Sequence, residues 1–243
     1  MNIENPKTVK PTGVFQRLLN WVGGHERQTL VLLLLAAAAL WGFVGIAGEV
    51  LEGDTVSIDQ RLLLSLRSPA DPSDPIGAPW IEEMARDFTG LGGTGVLTFL
   101  TLASALFLFL QGKTKMAIYL LSAICTGMIV TMLLKAGFDR PRPDLVAHGS
   151  YVYTSSFPSG HSMMSAIVFL TLGALLASMQ SSLGIKAYLL GIAAFLTLMV
   201  GLSRVYLGVH WPTDVLAGWT GGAAWALLCW ALAQWLRKRG QVE

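Results

Sequence analysis

The sequence predicts an all-α integral membrane protein, built as a six-transmembrane-helix bundle, and three observations predict it. Hydrophobic residues make up 53% of the 243 residues and charged residues only 13%, against about 25% charged in an ordinary soluble domain. The apolar residues cluster in runs long enough to cross the hydrocarbon core of a bilayer. Basic residues are concentrated on alternate connections between those runs, as the positive-inside rule requires.

Six apolar runs have about the length of a transmembrane helix. They cover residues 30–47, 93–110, 117–134, 162–179, 187–202 and 215–235. The first run follows a tail of about 27 residues and is longer than the 7–15 residues typical of a signal-peptide core, so we expect it to stay as an anchor. We find no internal repeat and no low-complexity linker. The sequence therefore predicts a single membrane-embedded domain over residues 1–243.

The basic residues predict which side of the membrane each connection faces. Ten of them fall in the two tails and in the second and fourth connections: Lys7, Lys10, Arg17, Arg27, Lys113, Lys115, Lys186, Arg237, Lys238 and Arg239. By the positive-inside rule both termini are cytoplasmic, and the first, third and fifth connections face outward. The net charge of +2, without a basic run interleaved with aromatic residues, argues against nucleic-acid binding.

Seven further basic residues fall on the predicted outer side and divide into two sets. We expect four of them to occupy ordinary positions: Arg61, Arg67, Arg86 and Arg140. The other three stand beside conspicuous polar motifs at the ends of spans: Lys135, Arg142 and Arg204. A lone lysine at a helix end usually extends its ammonium group to the headgroup region. A functional role for the second set is therefore indicated only by the polar residues around it.

The one long connection, residues 49–91, predicts two short interfacial helices. The segment "SIDQRLLLSLRSP" alternates leucine with polar residues, and "PWIEEMARDF" places a tryptophan at a helix start. Both patterns are typical of helices that lie at a membrane surface. Prolines between them prevent one longer helix. We expect the acidic residues of this connection to form a solvated outer face.

Glycine and cysteine residues in the spans have structural explanations. The clusters "GLGGTG" and "GWTGG" allow close contact between helices in lipid. The first also fits the spacing of a dinucleotide-binding loop, but no strand precedes it, so packing explains it better. Cys125 and Cys229 lie in different spans without metal-ligand spacing, and we interpret them as small packing residues.

Polar residues of the kinds that take part in catalysis and anion binding converge on the third and fifth connections. The third begins "KAGFDRPRPDL" and ends "SSFPSGH", while the fifth reads "SRVYLGVHWPTD". Lys135, Arg142 and Arg204 supply three cations, and arginine matches phosphate oxygens with two parallel hydrogen bonds. Ser159 and Gly160 stand where the fourth span begins, so free backbone N–H groups would point at the same anion. The pattern predicts a phosphate-binding pocket at the outer face.

Two histidines and one aspartate complete the set. The spacing His210-x-x-x-Asp214 lets the carboxylate hold one ring nitrogen, which makes the other nitrogen a better nucleophile. His161 is then free to give a proton to a leaving oxygen. An isolated histidine at a helix start would more often lie in the headgroup region, so this interpretation depends on the convergence.

These residues resemble a known family. The pattern Lys-x6-Arg-Pro, Pro-Ser-Gly-His and Ser-Arg-x5-His-x3-Asp is similar to the three-part signature of the type-2 phosphatidic acid phosphatase superfamily, and it spans the motif-bearing core 135–214. No motif position departs from the pattern. Arg140-Pro141 is a second Arg-Pro pair, but the six-residue gap after Lys135 selects Arg142.

The resemblance implies a membrane lipid phosphatase of the bacterial inner membrane, with its site on the extracytoplasmic face. It implies that His210 forms a phosphohistidine, that Asp214 stabilises its positive charge, and that His161 moves the protons. The phosphate would be held by Lys135, Arg142, Ser159, Gly160 and Arg204. The family resemblance further implies that neither metal nor cofactor is needed.

Alternatives stay open at the level of the sequence. A lipid phosphotransferase would differ only in its acceptor, and a non-catalytic lipid-binding or transport protein also uses ionisable residues in membranes. Vanadate-dependent halide oxidation shares the anion pocket but belongs to a soluble and longer group. For a phosphatase, undecaprenyl diphosphate is the preferred substrate, ahead of phosphatidylglycerophosphate and phosphatidic acid. The partners expected are the lipid substrate and the bilayer; no obligate protein partner is evident.

Overall fold

The computed structural model describes residues 24–146 and 154–238, and within them the chain is helical without a β-strand. Its helices are α1 Gly24–Glu52, α2 Val56–Leu64, α3 Pro79–Leu91, α4 Thr94–Leu110, α5 Thr114–Gly137, α6 Gly160–Ser178, α7 Leu183–Tyr206 and α8 Pro212–Lys238. A single isolated antiparallel bridge joins Arg67 and Pro75. The predicted all-α fold class is confirmed.

Among the described residues, five helices are long and apolar enough to cross a membrane: α1, α5, α6, α7 and α8. Helices α3 and α4 meet at a bend of 49° and would give a sixth crossing if the pair is one broken span. The chain is therefore a multi-pass helical membrane protein. The count of six crossings stays a prediction, because it depends on whether the bent pair traverses the bilayer.

Helix α6 lies at the centre of the bundle and packs against α5, α7 and α8. Helix α1 packs along α8, α3 lies on α7, and α4 lies on α5. The approach of α8 to α6 requires a small residue, because a Cβ at Gly222 would lie 2.5 Å from the carbonyl oxygen of Met163. The close helix contact predicted for the "GWTGG" cluster is thus present.

The long connection 49–91 contains the two short helices that its sequence predicts. Helix α2 buries Asp59 and Leu63, and α3 packs against α7. Gly92 in the link to α4 has no room for a side chain, since a Cβ there would lie 2.4 Å from Val200 Cγ1. The packing role of "GLGGTG" is confirmed at this glycine. The place of α2 and α3 at a membrane interface stays a prediction.

The alternating direction of the helices brings five helix ends together. The C-terminal ends of α1, α5 and α7 and the N-terminal ends of α6 and α8 share one end of the bundle with α2 and α3. The predicted polar motifs all lie at this end. Several of the basic residues used to predict sidedness, Lys7, Lys10, Arg17 and Arg239, lie outside the described residues.

Candidate active site

Six of the eight predicted site residues line one cavity at this end of the bundle. The cavity has a volume of about 510 Å³, and the six are Lys135, Arg142, Gly160, His161, Arg204 and His210. The other two, Ser159 and Asp214, are fully buried. The backbone N–H of Ser159 donates a hydrogen bond to the backbone carbonyl oxygen of Asp214. Helix ends from α5, α6, α7 and α8 therefore bring together residues that are distant in sequence.

His210 lies in the turn between α7 and α8 and is held by Asp214. Its Nδ1 is 3.3 Å from Asp214 Oδ2, and its Nε2 is 3.0 Å from Arg142 Nη1. An arginine only donates hydrogen bonds, so Nε2 is an acceptor and the ring proton belongs on Nδ1. The spacing also suits the helix start: Pro212 opens α8, and the Asp214 carboxylate accepts from the Trp211 backbone N–H at 3.0 Å, as in a capping box.

The protonation state of His210 follows from its surroundings. Burial lowers the pKa of His210 to about 3, although the neighbouring Asp214 acts in the opposite direction. The side chain is 1% exposed, and the charged imidazolium would lose its hydration. The imidazole is therefore neutral near pH 7, with a lone pair on Nε2 directed at the cavity wall formed by Arg142.

Lys135 and Arg142 are anchored by backbone carbonyl groups of the two connections that carry the motifs. Lys135 Nζ donates to the Ser155 carbonyl oxygen at 2.8 Å. Arg142 donates from Nε to the Thr154 carbonyl oxygen at 2.8 Å and from Nη1 to that of Val209 at 2.7 Å. Burial lowers the pKa of Arg142, with Asp214 opposing the effect. A bound anion would relieve this cost of burying the cation.

Arg204 is the third cation and is 1% exposed. Its Nη1 donates to Thr89 Oγ1 at 2.7 Å, while its Nε is buried without a hydrogen-bond partner among the described residues. Across residues 24–146 and 154–238, no carboxylate lies within 4.0 Å of the charged nitrogens of Lys135, Arg142 or Arg204. Three cations that have no carboxylate counter-ion in the described part of the chain line one cavity, which is the arrangement of an anion site.

Helix α6 begins at the cavity, but the Ser159 hydroxyl serves the helix itself. Ser162 Oγ donates to Ser159 Oγ at 2.9 Å, and the Ser162 backbone N–H also points at this oxygen, at 3.4 Å. Gly160 and His161, the first two residues of α6, line the cavity. Their position suits backbone donation to an anion. The phosphate contact predicted for the Ser159 side chain stays a prediction.

Sequence reasoning missed the side chains that surround Asp214. Arg140 Nη1 donates to Asp214 Oδ1 at 2.6 Å, and the Ser156 hydroxyl donates to Oδ2. Arg140 is therefore not the ordinary outer residue that we expected. The sequence offered a signal for each residue. Arg140 belongs to the additional Arg-Pro pair that precedes Arg142-Pro143 in "DRPRP", and Ser156 stands directly before "FPSGH".

Asp59 of α2 is a third residue that the sequence did not single out. It is 0% exposed, and its carboxylate accepts from Arg140 Nη2 at 2.7 Å and from the Thr213 backbone N–H at 3.0 Å. The sequence predicts that the acidic residues of this connection are solvated, and for Asp59 that prediction is wrong. An acidic residue amid leucines in an amphipathic helix gives only a weak signal, because the partner lies 154 residues away.

The rest of the cavity is an apolar groove between α4 and α5. It extends along α5 from Lys135 to Leu121, which are 14 residues apart and so about 21 Å along the helix axis. Three of its large apolar lining residues, Leu102, Met128 and Met132, are also exposed on the outside of the bundle. The cavity therefore has a cationic end, which we call its cationic head, and an apolar groove that opens between α4 and α5 to the outside of the bundle.

Comparison with known proteins connects this site to a family. Residues 116–238 match the family model described as the PAP2 superfamily. Phosphatidylglycerophosphatase B of Bacillus subtilis is 33% identical over 197 residues, covering 79% of this chain and 86% of that protein. Undecaprenyl-diphosphatase of Sulfolobus acidocaldarius is 31% identical over 125 residues, covering 49% of this chain and 56% of that protein.

A solved structure shares the fold. The crystal structure of a transmembrane PAP2-type phosphatidylglycerolphosphate phosphatase from Bacillus subtilis superposes with a TM-score of 0.73 at 28% identity, covering 83% of this chain and 96% of that chain. The similarity therefore extends beyond the matched 116–238 segment to most of the bundle.

Proposed function

Because the chain belongs to the PAP2 superfamily, we propose that it is a membrane phosphatase that hydrolyses a lipid phosphate or diphosphate through a phosphohistidine on His210. The observation that carries the proposal is a set of three cations that line one cavity with His210 and have no carboxylate partner among the described residues. The unprotonated Nε2 of His210 contacts one of them, Arg142. A nucleophile and an anion site in one cavity are what covalent phosphoryl transfer requires.

In the first step, His210 Nε2 attacks phosphorus and the bond from phosphorus to the leaving oxygen breaks. His161 gives its proton to the departing oxygen. Asp214 keeps its negative charge and stabilises the positive charge that develops on the His210 ring. Lys135, Arg142 and Arg204 hold the equatorial oxygens, whose charge they offset in the transition state.

In the second step, water attacks the phosphorus of the phosphohistidine and the phosphorus–nitrogen bond breaks. His161, neutral after the first step, takes a proton from the water, as microscopic reversibility requires. The products are inorganic phosphate and the original neutral His210. The cations provide the electrostatic stabilisation that metal ions provide in many phosphoryl-transfer enzymes, so we propose that the reaction is metal-independent.

The apolar groove supports a lipid substrate. Its cationic head would take the phosphate while an acyl or prenyl chain lies between α4 and α5, with the sideways opening providing entry from the bilayer. The positive-inside rule supports an orientation with this cationic end on the extracytoplasmic face and both termini in the cytoplasm. Because the relative that matches over the larger share of its length is named for phosphatidylglycerophosphate, we propose this lipid as the first to test, beside undecaprenyl diphosphate.

A phosphate-release assay on the purified protein in lipid nanodiscs tests this function. Phosphatidylglycerophosphate, undecaprenyl diphosphate and phosphatidic acid are each supplied with a chelator present. We expect at least one lipid to be hydrolysed, and His210→Gln to abolish release. Transfer of phosphate to another lipid without release would identify a phosphotransferase. Activity that disappears in the chelator and returns with a divalent ion would contradict the metal-independent mechanism.

A further inference from the structure

We propose that Arg140 and Asp59 are positioning residues that hold the Asp214 carboxylate against His210, so that the first outer connection takes part in catalysis through Asp214. This inference rests on the proposed function of His210 and Asp214. Arg140 does not line the cavity, which separates its role from that of the phosphate-binding cations.

The carboxylate of Asp214 is fixed through both of its oxygens. Oδ1 accepts from Arg140 Nη1 at 2.6 Å. Oδ2 accepts from the Trp211 backbone N–H at 3.0 Å and from Ser156, and lies 3.3 Å from His210 Nδ1. Without Arg140 the carboxylate would lose its charged partner on Oδ1 and would be oriented only through Oδ2. Its hydrogen bond to Nδ1 sets the tautomer that leaves Nε2 free to attack.

The charges around Asp214 form an alternating series. Asp59 and Asp214 are both 0% exposed, and the Arg140 side chain between them is 12% exposed. With His210 neutral, the cluster of two carboxylates and one guanidinium carries one net negative charge. It becomes neutral when the His210 ring gains positive charge in the transition state. The cluster therefore stabilises the positively charged form of the His210 ring. Arg140 also supplies a counter-charge to two buried carboxylates that would otherwise be unpaired.

Asp59 holds the far side of the Arg140 guanidinium. Arg140 Nη2 donates to Asp59 Oδ2 at 2.7 Å and to Thr55 Oγ1 at 3.1 Å. Asp59 also accepts from Thr213 Oγ1 at 2.7 Å, and Arg140 Nη1 donates to the same hydroxyl oxygen at 2.8 Å. These bonds tie α2 to the first turn of α8, which carries Asp214. The two terminal nitrogens of the Arg140 guanidinium thus bind different carboxylates, an arrangement that a lysine ammonium cannot reproduce.

A double-mutant cycle tests the inference with a soluble aryl phosphate and a lipid phosphate as substrates. We expect Arg140→Gln to lower kcat about 10- to 100-fold, the range of a charge-assisted hydrogen bond to a buried carboxylate, with KM for the aryl phosphate unchanged. Arg140→Lys should recover part of the loss because it keeps the charge. Asp59→Asn should lower kcat in the same direction by a smaller factor. Arg86→Gln is the matched control, since Arg86 lies at the same end in an exposed pair with Glu82 and Glu83.

The cycle separates positioning from general structural support. In an Asp214→Asn background, Arg140→Gln should cause little further loss of kcat, because the residue acts through the carboxylate. Independent, additive losses, or an equal fall in kcat for Arg86→Gln, would overturn the proposal. If Asp214→Asn itself leaves kcat intact, the proposed function fails instead. Should Arg140→Gln not fold, the same cycle with Asp59→Asn decides the question.

Discussion

At the scale of single residues, the proposed nucleophile, His210, is in contact with a cation before any substrate binds. Arg142 Nη1 lies 3.0 Å from His210 Nε2 and also donates to the Val209 carbonyl oxygen. An arriving phosphate offers charged oxygens to the same guanidinium, and charge-assisted bonds are stronger than the bond to a neutral imidazole. Under the proposed function, we therefore expect a bound phosphate to draw Arg142 away from His210 and to expose the Nε2 lone pair.

The pKa of His210 gives a prediction at this scale. Burial lowers it to about 3, whereas a histidine in an unfolded chain titrates near 6.5. The neutral ring therefore persists as pH falls below 6.5, and it contributes stability that is present above about 6.5 and lost as pH falls towards 3. We expect the nitrogen-15 resonances of His210, assigned with His210→Gln, to stay those of a neutral Nδ1–H ring between pH 5 and 8. An inflection near pH 6.5 would show that the ring is not held in this environment.

At the scale of elements, the candidate site is assembled from helix ends and the apolar groove from helix sides. The last turns of α5 and α7 bring Lys135 and Arg204, and the first turns of α6 and α8 bring His161 and Asp214. The groove lies between α4 and α5. Under the proposed function, helix ends therefore recognise the phosphate of a substrate, and the sides of α4 and α5 recognise its chain.

The depth of the groove predicts a dependence on chain length. Leu121 lies at its deep end, about 21 Å along α5 from Lys135. Leu121→Trp should fill that end and lower kcat/KM for long-chain lipid phosphates, while short-chain lipids and an aryl phosphate are hydrolysed as before. Leu133→Trp is the control, because Leu133 is exposed on the same helix and does not line the groove. An equal loss for all chain lengths, or no loss for any, would exclude the groove as the chain site.

The sequence predicts the elements better than the contacts among them. Hydrophobic runs and motif spacing indicate the helices and the eight candidate residues, because these are local properties. The roles of Arg140 and Asp59 depend on a buried contact between residues 81 positions apart, which no local pattern records. The Ser159 hydroxyl shows the converse: a serine at a helix start suits both a cap and an anion contact, and only the fold shows that it caps.

At the scale of the whole molecule, all the polar motifs lie at one end of the bundle, and the proposal places that end outside the cell. We test this with single cysteines in a background where Cys125 and Cys229 are alanine. Ala70→Cys, in the exposed link between α2 and α3, should react with an impermeant thiol reagent in intact cells. Ser182→Cys, in the exposed link between α6 and α7, should react only after permeabilisation. The reverse labelling would place the site in the cytoplasm.

The central claim is a covalent bond between phosphorus and His210, and trapping it is the most direct test. In His161→Ala with an aryl phosphate, the first step needs little acid assistance because the leaving group is good, whereas hydrolysis still lacks its base. The phosphoenzyme should therefore accumulate. Rapid quench into alkali followed by mass spectrometry should find about one phosphate per chain on His210 and none in His161→Ala/His210→Gln. Release of the aryl alcohol in the first turnover with no phosphate on His210 would contradict the mechanism and favour direct attack by water.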